Sequence, residues 1–302
     1  MEDFLVQAAY HLKPRCASSA LRILLPSYIG VSPKEGSGIF DPIIKLRDEG
    51  LIDPLFYKMN DGLYIDIPDV LELVESSSGQ PFILLKVNYF GFTDPNEQLL
   101  FDIVKNFKGY VLEDNAHGFF TYQARFEHFC DAAFFSLHKQ FPFSQGGMLV
   151  TCNEEFSLIK YTGSPRPFPD ENPFTYDIQA ISAKCRSNFE IVDTLAKKYL
   201  DLWIPLRSLH TADITVPQTY PLVLQNSNRY QVYLDLNKQG YGVTSLYHTL
   251  IEPLQNNPRY ASSRALADRI LNIPVHQDVD TSLYTQLIDN LAQSCRVHAL
   301  SQ

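Results

Sequence analysis

Lys139 sits between two segments that could put its amine to chemical use. Ahead of it runs Asp131-Ala-Ala-Phe-Phe-Ser136, and behind it Gly146-Gly147-Met-Leu-Val-Thr151. Further upstream the apolar Tyr110-Val-Leu runs into Glu113-Asp114-Asn-Ala-His117-Gly118. A lysine acts as a nucleophile or proton carrier only when its pKa is lowered or when it is already condensed with a carbonyl. Phe134, Phe135, Phe141 and Phe143 are its neighbours in sequence, and desolvation by such side chains disfavours a free ammonium. An amine that condenses with an aldehyde, a carboxylate that keeps a pyridine nitrogen protonated, and donors for a phosphate are the needs of a pyridoxal phosphate site. There the cofactor is the electron sink and the protein positions and tunes it. Taken singly, each residue has an ordinary alternative: a surface lysine, a turn aspartate, a capping serine. Their order along the chain is what points to the cofactor.

For strand ends to present these groups, the chain must alternate strands with helices. Periodicity predicts helices over 4–12, 40–49, 67–76 and 97–106, and strands over 20–25, 55–59, 82–87, 110–112, 132–136 and 148–151. Asp41-Pro42 reads as an N-cap and first helical position. Such alternation implies a parallel or mixed sheet with covered faces, and a ligand crevice at the carboxyl ends of the strands. Asn88, Asp114 and Ser136 each fall at or just beyond such an end. Downstream, residues 164–173 carry four prolines and read as an extended arm. A long helix follows over 176–202. Then come strands over 217–224 and 242–246 and helices over 231–240, 261–268 and 280–295. The fold class is therefore α/β. A large domain (1–195) holds a mixed, mostly parallel sheet between helices, and a smaller α+β domain (196–302) follows.

The net charge of −9, from 34 acidic against 25 basic residues with no basic stripe, argues against tracking a nucleic-acid backbone. No apolar run approaches the roughly 18–20 residues of a membrane span. The start Met1-Glu-Asp-Phe-Leu lacks a secretory layout, so the cytoplasm is the expected compartment. Cys16, Cys130, Cys152, Cys185 and Cys295 are odd in number and form no CxxC pair. They are expected as reduced thiols, not as a disulfide framework or a zinc site. His117, His138, His248 and His276 match no ligand spacing, so no metal is expected. The glycine-rich stretch over 30–38 lacks the Gly-Lys-Ser/Thr of a P-loop and reads as a loop near the site mouth.

The stretch over 110–151 resembles the DegT/DnrJ/EryC1/StrS family, the pyridoxal-phosphate-dependent sugar aminotransferases of aspartate-aminotransferase fold type. Their pattern is an apolar strand with Glu-Asp-x-Ala-His/Gln, then Asp-x-x-x-Phe-Ser, a lysine, and a Gly-Gly strand ending in Thr. Leu112-Glu-Asp114-Asn-Ala-His117, Asp131-Ala-Ala-Phe-Phe-Ser136, Lys139 and Gly146-Gly-Met-Leu-Val-Thr151 match it in order. Weaker similarity extends to Leu24-Leu-Pro26-Ser-Tyr28, Asn88-Tyr-Phe-Gly91 and Leu271-Asn-Ile-Pro274-Val-His276. The resemblance implies a pyridoxal-phosphate-transferase-like large domain, Lys139 as the Schiff-base lysine, Asp114 on the pyridine nitrogen, His117 beside the ring and Ser136 on the phosphate. It further implies transfer of an amino group from glutamate to a nucleotide-linked keto sugar, in cell-surface polysaccharide or related sugar biosynthesis, by a homodimer with shared sites. Tyr247 and His248, at the end of the predicted strand over 242–246, face either substrate or the core.

Four departures stand beside that match. The family's Ser-Gly-Thr/Arg-x-Ala-Leu phosphate loop is not legible, since the chain begins inside what looks like the following helix and Cys16-Ala-Ser-Ser-Ala-Leu21 is only faintly similar. The ring-stacking aromatic falls near Gly30, Ser136 and Lys139 stand two residues closer than usual, and no Gly-Asn segment is legible around Gly163. These motivate an alternative: a catalytically degenerate relative acting as a non-enzymatic binding or regulatory module. A slip of one residue would put His138 in the lysine position, as in related dehydratases. The distance from Lys139 to Gly147 favours the lysine.

Overall fold

The computed structural model describes the chain apart from residues 1, 16–19, 33–37, 77–78, 145, 160–171, 211–213 and 301–302. Six strands, β1 (Leu21–Pro26), β2 (Ile52–Tyr57), β3 (Phe82–Val87), β4 (Tyr110–Asp114), β5 (Ala132–Ser136) and β6 (Gly147–Thr151), form one sheet in the order β2-β1-β3-β4-β5-β6. The first five run parallel and β6 pairs antiparallel to β5. The central strands are apolar runs because both their faces are covered. Ile23, Leu24, Leu25, Ile83, Leu84, Leu85, Val111 and Leu112 are all buried. Helices Asp41–Asp48, Ile67–Ser76 and Glu97–Asn106 are the crossovers between successive parallel strands. The predicted fold class holds.

A second, antiparallel sheet is built from β7 (Trp203–Pro205), β8 (Thr219–Leu224) and β9 (Ile270–Pro274), with β8 central. Helices Ile178–Ala196, Arg229–Lys238 and Tyr284–Val297 accompany it.

Several expectations change. The predicted strand over 242–246 is not one: Thr244 exchanges backbone hydrogen bonds with Asn272 (3.0 and 2.7 Å) as a single bridge. The chain then turns away, and the Asn272 side chain holds Leu246 N–H at 2.9 Å. β2 begins at Ile52 and runs through Pro54, which an edge strand accommodates on its unpaired side. Asp41 does not cap its helix; Phe40 occupies that position with no side-chain bond, and Asp41 and Pro42 lie in the first turn. The last α-helix starts at Tyr284, after a tighter turn over Thr281–Leu283. Helix Phe119–Ala124 and strands β7 and β9 were not predicted. The proline-rich arm over 164–173 and the segment around Gly163 lie largely outside the described residues, as do 16–19 and most of the glycine-rich loop.

Behind the sheet's carboxyl edge lies a buried ionic cluster. Lys86 on β3 and Glu113 on β4 are register partners. Lys86 Nζ reaches Glu97 at 2.7 Å and Glu113 at 3.4 Å, while Arg125 reaches Glu97 at 2.7 Å and Glu113 at 2.9 Å. Asn88 Nδ2 also donates to Glu113. Two cations thus balance two carboxylates out of water, where an unpaired charge would be costly. Burial alone would push Glu113 up, but Lys86 and Arg125 bring it from 4.5 down to about 2. A carboxyl with a depressed folded pKa stabilises the fold above its unfolded pKa, and that contribution disappears as pH falls from about 4.5 toward 2. Lys86→Met, which strands the carboxylates, should cost about 3–5 kcal/mol in urea unfolding at neutral pH and remove part of the acid-dependent loss of stability. A variant as stable as the parent would show that the cluster does not carry this load.

Candidate active site

Register sets the site. Asp114, the last residue of β4, lies between Val87 of β3 and Phe134 of β5. A cavity of about 520 Å³ opens there, with Asn88, Asp114, His117, Ser136, Lys139 and Tyr247 in its wall. The residues expected at strand ends therefore converge. Asp114 is buried; its Oδ1 accepts Ala116 N–H at 2.8 Å and its carbonyl accepts Asn88 N–H at 3.0 Å. Lys139 closes the short turn Leu137–Lys139 that follows β5 and is half-buried. Its carbonyl accepts Gln218 Nε2 at 2.9 Å, while the next side chain, Gln140, donates to Ala116 carbonyl at 3.2 Å. The lysine turn is thus tied both to the Asp114 loop and to the C-terminal unit. Ser136 Oγ lies 3.4 Å from the His138 ring, which also approaches the Gly146 carbonyl at 3.4 Å.

The electrostatics follow from burial. Desolvation raises the Asp114 carboxyl against the opposing pull of Ala116 N–H and the Lys139 ammonium. Desolvation lowers Lys139, and Asp114 resists that shift. His117 falls to about 3, chiefly from burial and then from Lys139, so its ring is neutral at physiological pH. Its ring lies nearly parallel to Phe90, 6.4 Å between centroids. A neutral histidine, a carboxylate poised to accept positive charge and an amine with lowered proton affinity share one wall.

Tyr247 reaches this cavity from the C-terminal unit. Tyr28 hydroxyl accepts Tyr247 N–H at 2.9 Å and points at the carbonyls of Leu246 and Tyr247, at 3.1 and 3.2 Å. The Tyr247 ring lies where residue 30 would carry a side chain: a Cβ on Gly30 would stand 2.6–2.7 Å from Tyr247 Cδ1, Cβ and Cγ. Glycine at 30 and tyrosine at 247 are one arrangement. The aromatic wall comes from a distant part of the chain and not from residue 30 itself. His248 is outside this wall, its Nδ1 3.0 Å from Ser245 carbonyl. A second chamber of about 380 Å³ shares His117, Lys139 and Tyr247 and adds Gln218, Thr219, Thr244 and His276. Gln218 and Thr244 escaped sequence reasoning because no local pattern marks a polar side chain delivered from another sheet.

The seam between the two units is tight at a second point. Gly91 takes φ +91°, and a Cβ there would meet Val216 carbonyl at 2.5 Å. Thr121 bridges the same two segments, donating to Gly91 carbonyl at 2.7 Å and accepting Val216 N–H at 2.9 Å.

No protein-family model and no curated protein matches this chain. Solved structures do. A DegT DnrJ EryC1 StrS aminotransferase from Brucella abortus superposes with a TM-score of 0.72 at 13% identity, covering 97% of this chain and 84% of that one. The chain has the fold of the pyridoxal-phosphate-dependent sugar aminotransferases. Helicobacter pylori PseC, described as an aminotransferase involved in pseudoaminic acid biosynthesis, gives a TM-score of 0.73 at 14% identity over 98% of this chain and 85% of its own. A mutant of the dehydratase ColD with bound GDP-perosamine gives 0.67 at 18% identity over 96% and 85%. Sugar aminotransferases and a sugar dehydratase thus share the architecture of this chain.

Gly30→Ala should drive the Tyr247 ring from its seat and cost about 1–3 kcal/mol of stability. Combined with Tyr247→Ala, the loss should be smaller than the sum of the single losses. Thermal or urea melts of the three variants check this, and strict additivity would show that the two positions do not compete for one volume.

Proposed function

We propose that this protein is a pyridoxal-phosphate-dependent aminotransferase that passes an amino group, with glutamate as donor, to a nucleotide-linked keto sugar, in cell-surface polysaccharide or related sugar biosynthesis. The observation that carries the reading is the meeting of Asp114 and Lys139, each shifted toward its neutral form by burial, in one cavity at the strand ends. The donor set fits the cofactor. Asp114 would hold the pyridine nitrogen, where a buried carboxylate gains most from a cationic partner. His117 would lie beside the ring, Ser136 would serve the phosphate, and Lys139 would carry the aldehyde carbon. When bound, the cofactor supplies the electron sink for loss of a proton from the amino-bearing carbon.

The chain's own residues supply the rest. Burial lowers the Lys139 pKa and so disfavours the ammonium form, which suits Nζ to take the proton from the substrate carbon and return it. Gln218, by holding the Lys139 carbonyl, fixes where Nζ starts its reach. Tyr247 lines the cavity, and its ring would limit water there. The second chamber, lined by amide, hydroxyl and imidazole groups beside Lys139, suits the hydroxyls of a sugar. Tyr247, shared by both chambers, would be an aromatic contact for it, and His248, whose Nδ1 lies 3.0 Å from Ser245 carbonyl, would meet substrate from the same turn. The reading includes two domains meeting near residue 195, a homodimer and a cytoplasmic location; among the described residues no helix is long and apolar enough to cross a membrane.

A dehydratase reading needs a histidine in the lysine position. His138 does line the same cavity, but its ring is engaged with Ser136 and Gly146, whereas Lys139 and Asp114 sense each other's charge. The lysine reading is therefore preferred.

Added pyridoxal phosphate should give a visible band that borohydride fixes onto Lys139, and Lys139→Ala should lack both the band and transamination while keeping the fold. Asp114→Asn should still take up cofactor but lose at least about 100-fold in turnover. Absence of a band at saturating cofactor, or transamination retained in Lys139→Ala, would overturn the assignment and favour the binding-module alternative. Sedimentation at micromolar concentration should show a dimer; a monomer would remove the shared-site part of the proposal.

A further inference from the structure

At the far end of β5 and β6 from the cavity, two cysteines face each other. Cys130 immediately precedes Asp131 and β5, and Cys152 immediately follows β6. Cys152 N–H donates to Asp131 carbonyl at 2.8 Å, which extends the antiparallel pairing of Ala132 with Thr151 by one step. The two Sγ atoms lie 4.0 Å apart. A disulfide needs about 2.05 Å, so the two sulfurs must approach by about half their present separation to bond. Cys130 is buried and Cys152 is exposed, so one thiol meets solvent while the other waits behind it.

The surroundings divide the labour between them. Cys152 is brought down to about 6, first by the Cys130 thiol and also by Tyr122, whose hydroxyl lies 3.6 Å away; burial and the charges of Glu113 and Asp131 oppose this. Cys130 is pushed well up by its bond to Cys152, by burial and by Glu113. The His128 ring stacks on Tyr122 with centroids 3.8 Å apart and holds that phenol in place. An exposed thiol with increased thiolate content beside a buried resolving thiol is the arrangement of a reversible dithiol pair.

We propose that Cys130 and Cys152 form a redox-reversible disulfide, with Cys152 as the attacking and Cys130 as the resolving thiol. The oxidant is a small-molecule disulfide such as oxidised glutathione. Cys152 thiolate attacks one of its sulfurs, the glutathione S–S bond breaks, and one glutathione thiolate leaves. Cys130 sulfur then attacks Cys152 sulfur of the mixed disulfide, the protein–glutathione bond breaks, and the Cys130 proton goes to the second departing thiolate. The protein loses two electrons and glutathione disulfide gains them. The bond closes the loop that carries Ser136, Lys139, Gly146 and Gly147, and pins β6 to β5. Oxidation would thereby stiffen one wall of the cavity without touching its reacting groups.

The test is a non-reducing peptide map of the intact protein after exposure to excess oxidised glutathione. A Cys130–Cys152 peptide pair, about 2 Da lighter than the two thiols and reversed by dithiothreitol, is expected. Cys130→Ser should trap glutathione on Cys152, and Cys152→Ser should leave Cys130 unmodified. The wild-type map needs no variant to fold. A stable glutathione adduct on wild-type Cys152 with no bridge, a bridge from Cys152 to another cysteine, or no modification of Cys152 would each overturn the proposal. Cofactor binding enters none of these readouts, so failure of the proposed function would leave this result standing.

Discussion

Glu113 and Asp114 are adjacent in sequence, yet the last turn of strand β4 sends them into opposite surroundings. Successive side chains of a strand alternate between faces. Glu113 meets Lys86 and Arg125 and is held firmly ionised; Asp114 enters the cavity, where burial raises it against the pull of Ala116 N–H and Lys139. The rest of the site depends on this division. The first carboxylate is already paired, which leaves the second available for a positive partner. Asn88 connects the two, donating its side-chain amide to Glu113 and its backbone amide to the Asp114 carbonyl.

Around that strand end the C-terminal unit works as half of the site. Gln218 holds the lysine turn, Gln277 donates to Gln140 carbonyl at 3.3 Å, Tyr247 occupies the space over Gly30, and Val216 presses on Gly91. The absence of a side chain at Gly30 and Gly91 records where the second unit approaches the first. Placing the wall of a cavity on elements of two different sheets makes its shape depend on how they pack, so a change at the seam reaches the reacting groups through backbone contacts.

The sequence made the central frame legible for a physical reason. Helices Ile67–Ser76 and Glu97–Asn106 and strands β3 and β5 fall on their predicted bounds, since uninterrupted apolar runs and sustained helical periodicity leave little choice of register. Ser136 and Lys139 could be placed because their positions follow from β5, and Asp114 because it ends the apolar run of β4. What escaped lies where local pattern loses to tertiary context. Phe119–Ala124 is a six-residue helix of mostly buried side chains with no polar face to betray its period. The segment over 242–246 has a strand's composition, but it pairs at one residue and then turns to deliver Tyr247. The strand expected over 55–59 begins at Ile52 instead and passes through Pro54, which its place at the sheet edge makes tolerable.

The alternation at β4 has a further consequence for how this chain can change. Inserting or deleting one residue within Tyr110–Asp114 would exchange the outlooks of the two acids, turning the firmly ionised one toward the cavity and pushing the other against Lys86 and Arg125. Such an event would count as two simultaneous active-site replacements although it alters a single codon. Substitutions can drift through the strand while its side chains stay apolar, but its length is fixed by parity.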